Sequence, residues 1–275
     1  MPIGYGLEVQ MHWQRANNEE EGDRTQPSSR AGHSFSVIEN DSGHFGVLFG
    51  GCSTSTNPED GLTNEVFYLD MASDTWTRIK TADPPGKRWR HTASVINTDQ
   101  LLIFGGATQT SRLGDCWVLN TSTRQWQPKT TEGAPSPRAG HSSDLIEGKV
   151  YVFGGYGGRE YSRRDFNSLH TLDVESWTWQ RIETSGEAPE ARSDHASCAV
   201  NNKLFICGGW SADKQMTDVS VFDTVDRVWT KPASAVLQTP RWGHSMVAVW
   251  AVPDWKIFMF GGSFWNDSAV VALIT

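Results

Sequence analysis

Five Arg-x-x-His pairs are the residues of this chain whose types and spacing first suggest chemistry: Arg30/His33, Arg88/His91, Arg138/His141, Arg192/His195 and Arg241/His244. Imidazoles beside guanidiniums suit general acid–base work, and eight histidines are enough for a metal site. The pattern argues against both uses. A pair present in every repeat serves something that every repeat needs, such as bonding buried backbone. Nor can five regularly spaced histidines share one metal with the ordinary three or four ligands. Cys52, Cys116, Cys198 and Cys207 contain no CxxC pair and lack zinc-module spacing. Cys198 and Cys207 flank an Asn201-Asn202 turn. A two-residue hairpin there sets Val200 against Lys203 and Cys198 against Phe205, leaving Cys207 diagonal to Cys198 and too far for a comfortable bridge. All four are read as reduced thiols, and no metal or cofactor is expected.

The elements that carry these residues follow from an internal repeat. Glycine pairs close apolar runs at Gly50-Gly51, Gly105-Gly106, Gly154-Gly155, Gly208-Gly209 and Gly261-Gly262, with spacings of 55, 49, 54 and 53 residues. Trp76, Trp126, Trp179 and Trp229 each precede the next repeat's arginine by 12 or 13 residues. Within the third repeat, His141–Ile146, an Glu147-Gly148 turn, Lys149–Phe153, Leu169–Asp173 and Thr178–Ile182 read as four short antiparallel strands. Repeats of about 50 residues, each a four-stranded sheet, predict an all-β propeller. Glycine pairs suit the strand ends, where backbones converge and positive φ is tolerated, and each tryptophan supplies an apolar plate for the neighbouring blade.

Composition agrees with that reading. The chain has 275 residues, 26 of them glycine, and 13 tryptophans lift the aromatic share to 11%, which argues against disorder. A net charge of −8 gives no basic footprint for nucleic acid. The opening MPIGYGLEVQMHW has no secretory-signal pattern, and no apolar run approaches membrane-spanning length, so a cytoplasmic protein with no membrane insertion is expected.

The succession of R-x-G-H-S, apolar-Gly-Gly, a variable loop, a third strand such as Gly114–Asn120 and then tryptophan resembles the kelch repeat. Arg90 and Asp194 depart from it by replacing the glycine before histidine. The expected third strands are Asn64–Asp70, Gly114–Asn120, Asn167–Asp173, Thr217–Asp223 and Asn266–Ile274. The resemblance implies a kelch-type β-propeller, and the count of repeats gives it five blades, over about 30–82, 88–131, 138–184, 192–232 and 241–275. Trp13 marks an N-terminal strand, about 8–15, expected to complete the last blade, so that 1–275 form a single domain.

It also implies a non-catalytic adaptor or effector whose unrepeated loops bind a protein. Two loop sets meet at one mouth in kelch domains, one after the glycine pair and one around R-x-x-H. In this chain they offer Trp89, Arg90, Tyr156, Arg159, Tyr161, Arg163, Arg164, Trp210, Trp242, Phe264 and Trp265. Aromatic and arginine side chains dominate interface hot spots, and local positive charge on an acidic protein suits an acidic or phosphorylated partner segment. Two other readings stand beside this one: a structural subunit that uses the propeller's sides, and an enzyme at the channel mouth. For the enzyme, galactose-oxidase-like copper sites need a Tyr/His constellation that the five tyrosines do not form. The iron-binding E-x-x-x-D-x-x-x-H motif of plant specifier proteins is approached only by Glu190, Asp194 and Cys198, with Cys in place of His.

Overall fold

A computed structural model describes residues 26–263 except 41–42, 54–60, 159–161, 213, 233–236 and 252. The expected N-terminal strand at 8–15, the third strand Asn266–Ile274, and Arg159, Tyr161, Phe264 and Trp265 all lie outside the described residues.

The described elements are strands, and they build the blades of a kelch-type β-propeller. Four antiparallel sheets run in sequence order from the inside outward. The first contains Ser34–Asn40, Gly43–Phe49, Val66–Asp70 and Thr75–Ile79. The second contains Thr92–Asn97, Gln100–Ala107, Arg112–Asn120 and Gln125–Lys129. Ala139–Ile146, Lys149–Gly157, Leu169–Asp173 and Thr178–Arg181 form the third. The fourth has Ala196–Val200, Lys203–Cys207, Val219–Asp223 and Val228–Thr230. A hairpin of Trp242–Ala251 and Asp254–Ser263 follows. The first strands of successive blades stand side by side in chain order.

Three expected third strands start two residues too early, because they begin at Val66, Leu169 and Val219 instead. Glu65 and Asp218 lie just before the ladder, bonded through their carbonyls to Gly50 N–H and Gly208 N–H, and both carboxylates turn to arginines. In the second blade the strand instead begins earlier, at Arg112, across an irregularity between Phe104 and Gly106. The hairpin at Asn201-Asn202 pairs Val200 with Lys203 and Cys198 with Phe205, and both Cys198 and Cys207 are free thiols.

The core lies between blades as much as within them. Ile38, Val47 and Phe49 of the first blade pack with Leu101, Ile103 and Trp126 of the second. Phe104 and Leu102 meet Val150, Leu172 and Trp179 in the same way, and Phe153 meets Leu204, Phe222 and Trp229. Three fourth-strand tryptophans therefore lie on the phenylalanine that precedes the neighbour's glycines, with centroids 5.0, 4.7 and 5.3 Å apart for Trp126, Trp179 and Trp229, whereas Trp76 meets Phe35 of its own blade. Two of these indoles also bond backward, Trp126 Nε1–H to Thr81 Oγ1 and Trp179 Nε1–H to Thr131 Oγ1. Large aromatic plates of this kind contribute both buried area and ring geometry.

The glycine pairs are sterically required. Gly105 has φ of +62°, and a Cβ there would sit 2.8 Å from the carbonyl oxygen of Arg138 and 3.0 Å from the His141 ring. Gly148, in the tight turn of the third blade, has φ of +74° with nothing within 4 Å of such a Cβ. Gly148→Ala is therefore expected to cost about 1–2 kcal/mol from left-handed strain alone. Gly105→Ala should cost about 1–3 kcal/mol more, because backbone must also move. Urea unfolding of the two variants checks this, and equal costs would remove the close-approach argument.

Candidate interaction site

The repeated Arg/His pairs hold blades to one another. Each arginine donates from Nη1 to the carbonyl of the first glycine of its own repeat, at 3.2, 3.0, 2.9, 3.0 and 3.0 Å for Arg30, Arg88, Arg138, Arg192 and Arg241. The arginine's own carbonyl accepts the N–H of the second glycine of the preceding blade, as in Gly51 to Arg88 and Gly155 to Arg192. The histidines lie edge-on to the preceding blade's phenylalanine and bond across the junction, His91 Nε2 to Ser34 Oγ and His195 Nε2 to Ser142 Oγ. Among the described residues no group of three or more His, Cys, Asp or Glu side chains could hold a metal ion.

The two loop sets meet by backbone pairing. In every repeat the residue two beyond the first glycine faces the residue after the arginine: Cys52 with Ala31, Ala107 with Trp89, Tyr156 with Ala139, Trp210 with Ser193, and Ser263 with Trp242. Just inside this rim the residues before histidine form a hydrogen-bonded thread. Arg90 N–H bonds to Gly32 O, Gly140 N–H to Arg90 O, Asp194 N–H to Gly140 O and Gly243 N–H to Asp194 O, at 2.7–2.9 Å. All five have positive φ, including Arg90 at 53° and Asp194 at 53°.

Those two departures from glycine face each other. Arg90 Nη1 lies 3.3 Å from Asp194 Oδ2 and donates to the Tyr156 hydroxyl at 3.2 Å. Its guanidinium carbon is 4.5 Å from the Trp89 ring centroid, 5.7 Å from that of Tyr156 and 5.9 Å from that of Trp242. Arg163 stacks on Tyr156 at 4.2 Å, pairs with Asp165 and donates to Ser193 Oγ at 2.7 Å. Arg112 lies over the same tyrosine at 4.8 Å. Trp210 meets Trp242 edge to face at 6.1 Å.

Six of the expected residues are thus brought together: Trp89, Arg90, Tyr156, Arg163, Trp210 and Trp242. Arg164 is exposed, and its recorded contact is the backbone pairing with Gly157. Tyr156 is buried beneath the cations, so it acts as their platform and not as a surface contact. Sequence reasoning missed Arg112, Asp165 and Asp194 as members of the cluster. Only Asp194 carried a signal, its departure from glycine.

A family profile described as the KLHDC2/KLHL20/DRC7 Kelch-repeats domain matches residues 42–262. The chain belongs to the kelch-repeat family. It is 34% identical over 200 residues to the human Rab9 effector protein with kelch motifs, an alignment covering 70% of this chain and 52% of that protein. Human Kelch domain-containing protein 3 is 31% identical over 216 residues, covering 74% and 53%. The dynein alpha chain of the flagellar outer arm of Chlamydomonas reinhardtii is 30% identical over 253 residues, covering 86% of this chain and 5% of that protein. This kelch chain therefore spans about half of these relatives' length or much less.

Burial keeps the kelch histidines neutral. It drives His91 and His195 down to about 3 and His244 to about 4, helped by the neighbouring arginines, and holds His141 well below its usual value. In the unfolded chain these imidazoles titrate near 6.5, so below that pH the unfolded state binds more protons and stability falls as pH drops toward 3–4. Asp144 opposes this, because burial raises its carboxyl to about 6 against the Ser197 hydrogen bond, and burial also raises Asp194. Six histidines, with His33 and His170 also lowered by burial, outnumber two carboxyls. Urea midpoints should therefore fall between pH 7 and pH 5, each unmatched proton contributing at most about 1.4 kcal/mol per pH unit. A midpoint that rises on acidification would contradict the assignment of neutral buried histidines.

Proposed function

We propose that this chain is a non-catalytic protein-interaction module, an adaptor or effector, which grips an acidic segment of a partner with the cation–aromatic cluster at the loop mouth. The observation that carries this reading is the stacking of Arg90, Arg112 and Arg163 around Trp89, Tyr156 and Trp242, with Asp165 and Asp194 the carboxylates paired with them among the described residues. Three guanidiniums against two carboxylates leave a local positive charge on a chain of net charge −8. Preorganised arginines on aromatic faces bind carboxylates at low entropic cost.

The name of one relative, the human Rab9 effector protein with kelch motifs, supports a protein partner. The non-catalytic part of the reading draws on His91, His141, His195 and His244, which are buried at blade junctions with their pKa values lowered by that burial. Free Cys52, Cys116, Cys198 and Cys207 accord with the reducing cytoplasm, where we place the protein. Among the described residues no helix is long and apolar enough to cross a membrane. The same proposal treats 1–275 as one propeller whose last blade takes the segment at 8–15 as its outer strand.

Quantitative pull-down from native cell extract tests the reading, with wild type beside Arg90→Gly/Trp242→Ala. Replacing Arg90 by glycine relieves left-handed strain while losing an ion pair, and Trp242→Ala removes a half-buried ring at a cost of about 1–3 kcal/mol, so the comparison is made once the variant's urea midpoint shows that it folds. Partners recovered by wild type should be depleted at least about tenfold, a loss of roughly 1.4 kcal/mol in binding. An unchanged partner set would move the interface to the sides of the propeller.

A further inference from the structure

Beside the cluster lies a cavity of about 390 Å³ lined by Cys52, Leu62, Trp89, Thr108, Arg112 and Tyr156. Its character is mostly apolar, with one cation. Arg112 projects from the start of the second blade's third strand and rests on the Tyr156 ring. Its Nε is buried without a hydrogen-bond partner. Among the described residues no carboxylate lies within ion-pair distance of it, whereas Arg30, Arg88, Arg90, Arg163 and Arg192 each have one. A buried donor without an acceptor is costly in the folded state, and a ligand that brings the acceptor removes that cost.

We propose that this cavity receives an aspartate or glutamate side chain of the partner segment. The carboxylate would sit on Arg112, with the apolar part of the segment against Leu62 and Trp89. The inference rests on the interaction-module reading and deepens it. A single guanidinium in an apolar cavity matches the single charge of a carboxylate, and it would leave the near-double charge of a phosphate half neutralised.

Cys52 supplies the assay. It is half-buried on the cavity wall, while Cys116, Cys198 and Cys207 are buried, with burial pushing the thiols of Cys116 and Cys207 up to about 12 and that of Cys198 higher still. Maleimide labelling of the folded chain at neutral pH therefore reads Cys52 first. The probes are the capped tripeptides acetyl-Leu-Glu-Leu-amide and acetyl-Leu-Gln-Leu-amide at millimolar concentration, with a phosphoserine counterpart.

The Glu peptide should slow labelling about twofold or more and the Gln peptide should not, at concentrations near a weak Kd. Arg112→Gln should abolish protection, read as the ratio of labelling rates with and without peptide in the same variant, so that any change in its basal rate cancels. Equal protection by Glu and Gln peptides, protection that survives in Arg112→Gln, or no protection at all would each overturn the proposal. Stronger protection by the phosphoserine peptide would overturn the choice of carboxylate. If Arg90→Gly/Trp242→Ala loses partners while peptide protection fails, only the cavity assignment falls and the module reading stands.

Discussion

A guanidinium buried at the inner end of each blade is the contact on which the rest of this molecule depends. Arg88, Arg138 and Arg192 are 2% exposed or less, an environment in which a cation is tolerable only when its donors are filled. The carbonyl of the first glycine fills one, and it is turned toward the arginine because that glycine adopts a left-handed conformation. Nε donates to the carbonyl two residues upstream in Arg30, Arg88, Arg138 and Arg192, and carboxylates take further donors in three blades: Glu65 on Arg30, Asp115 bidentate on Arg88 and Asp218 bidentate on Arg192. Although burial itself works against ionisation of Asp115 and Asp218, the paired arginine bonds outweigh it and hold both below the usual carboxylate range. In the third blade Ser168 occupies that place, the Phe166 ring lies under Arg138 at 4.6 Å, and burial pulls the guanidinium down to about 10. Because the arginine's own carbonyl also anchors the preceding blade's second glycine, strand ending, glycine pair and blade stacking form one coupled unit.

That coupling explains why the architecture was legible in the sequence. A contact needed at every junction must be written in every repeat, so the arginine, histidine, glycine pair and tryptophan return in phase. Strand existence followed from it, and so did the Asn201-Asn202 hairpin with its diagonal cysteines. Strand ends were less readable. Where Val66 and Val219 begin depends on the preceding acid leaving the ladder to meet an arginine, a tertiary demand that no local alternation records.

The mouth was readable only in part, for the opposite reason. Trp89, Arg90, Tyr156, Trp210 and Trp242 could be placed because pairing between the loop sets repeats even though the residues do not. Arg112, Asp165 and Asp194 each occur once and acquire meaning only when different blades converge. Arg112 looks like an ordinary polar start to a strand until Tyr156 of the next blade is set beneath it. Conversely Arg164, next to a residue that does join the cluster, has the right chemistry at the wrong register: its neighbour Arg163 stacks on Tyr156 instead.

The thread of left-handed residues inside the mouth gives the fold a set of interchangeable sockets. Each blade contributes one residue whose backbone bonds to its counterpart in the next. Glycine leaves a socket empty, and any other side chain fills it at the cost of a modest conformational penalty. Two sockets here are filled, by Arg90 and Asp194, with opposite signs. A third, Gly140, is kept empty by Asp194, whose Oδ1 lies 2.8 Å from where a Cβ would be. Among the described residues Gly243 has nothing within 4 Å of such a Cβ, so its socket has room there. Changing the occupants rewrites the polarity of the centre while every scaffold bond stays in place, so in this architecture new specificity can arise by single substitutions at a structural position.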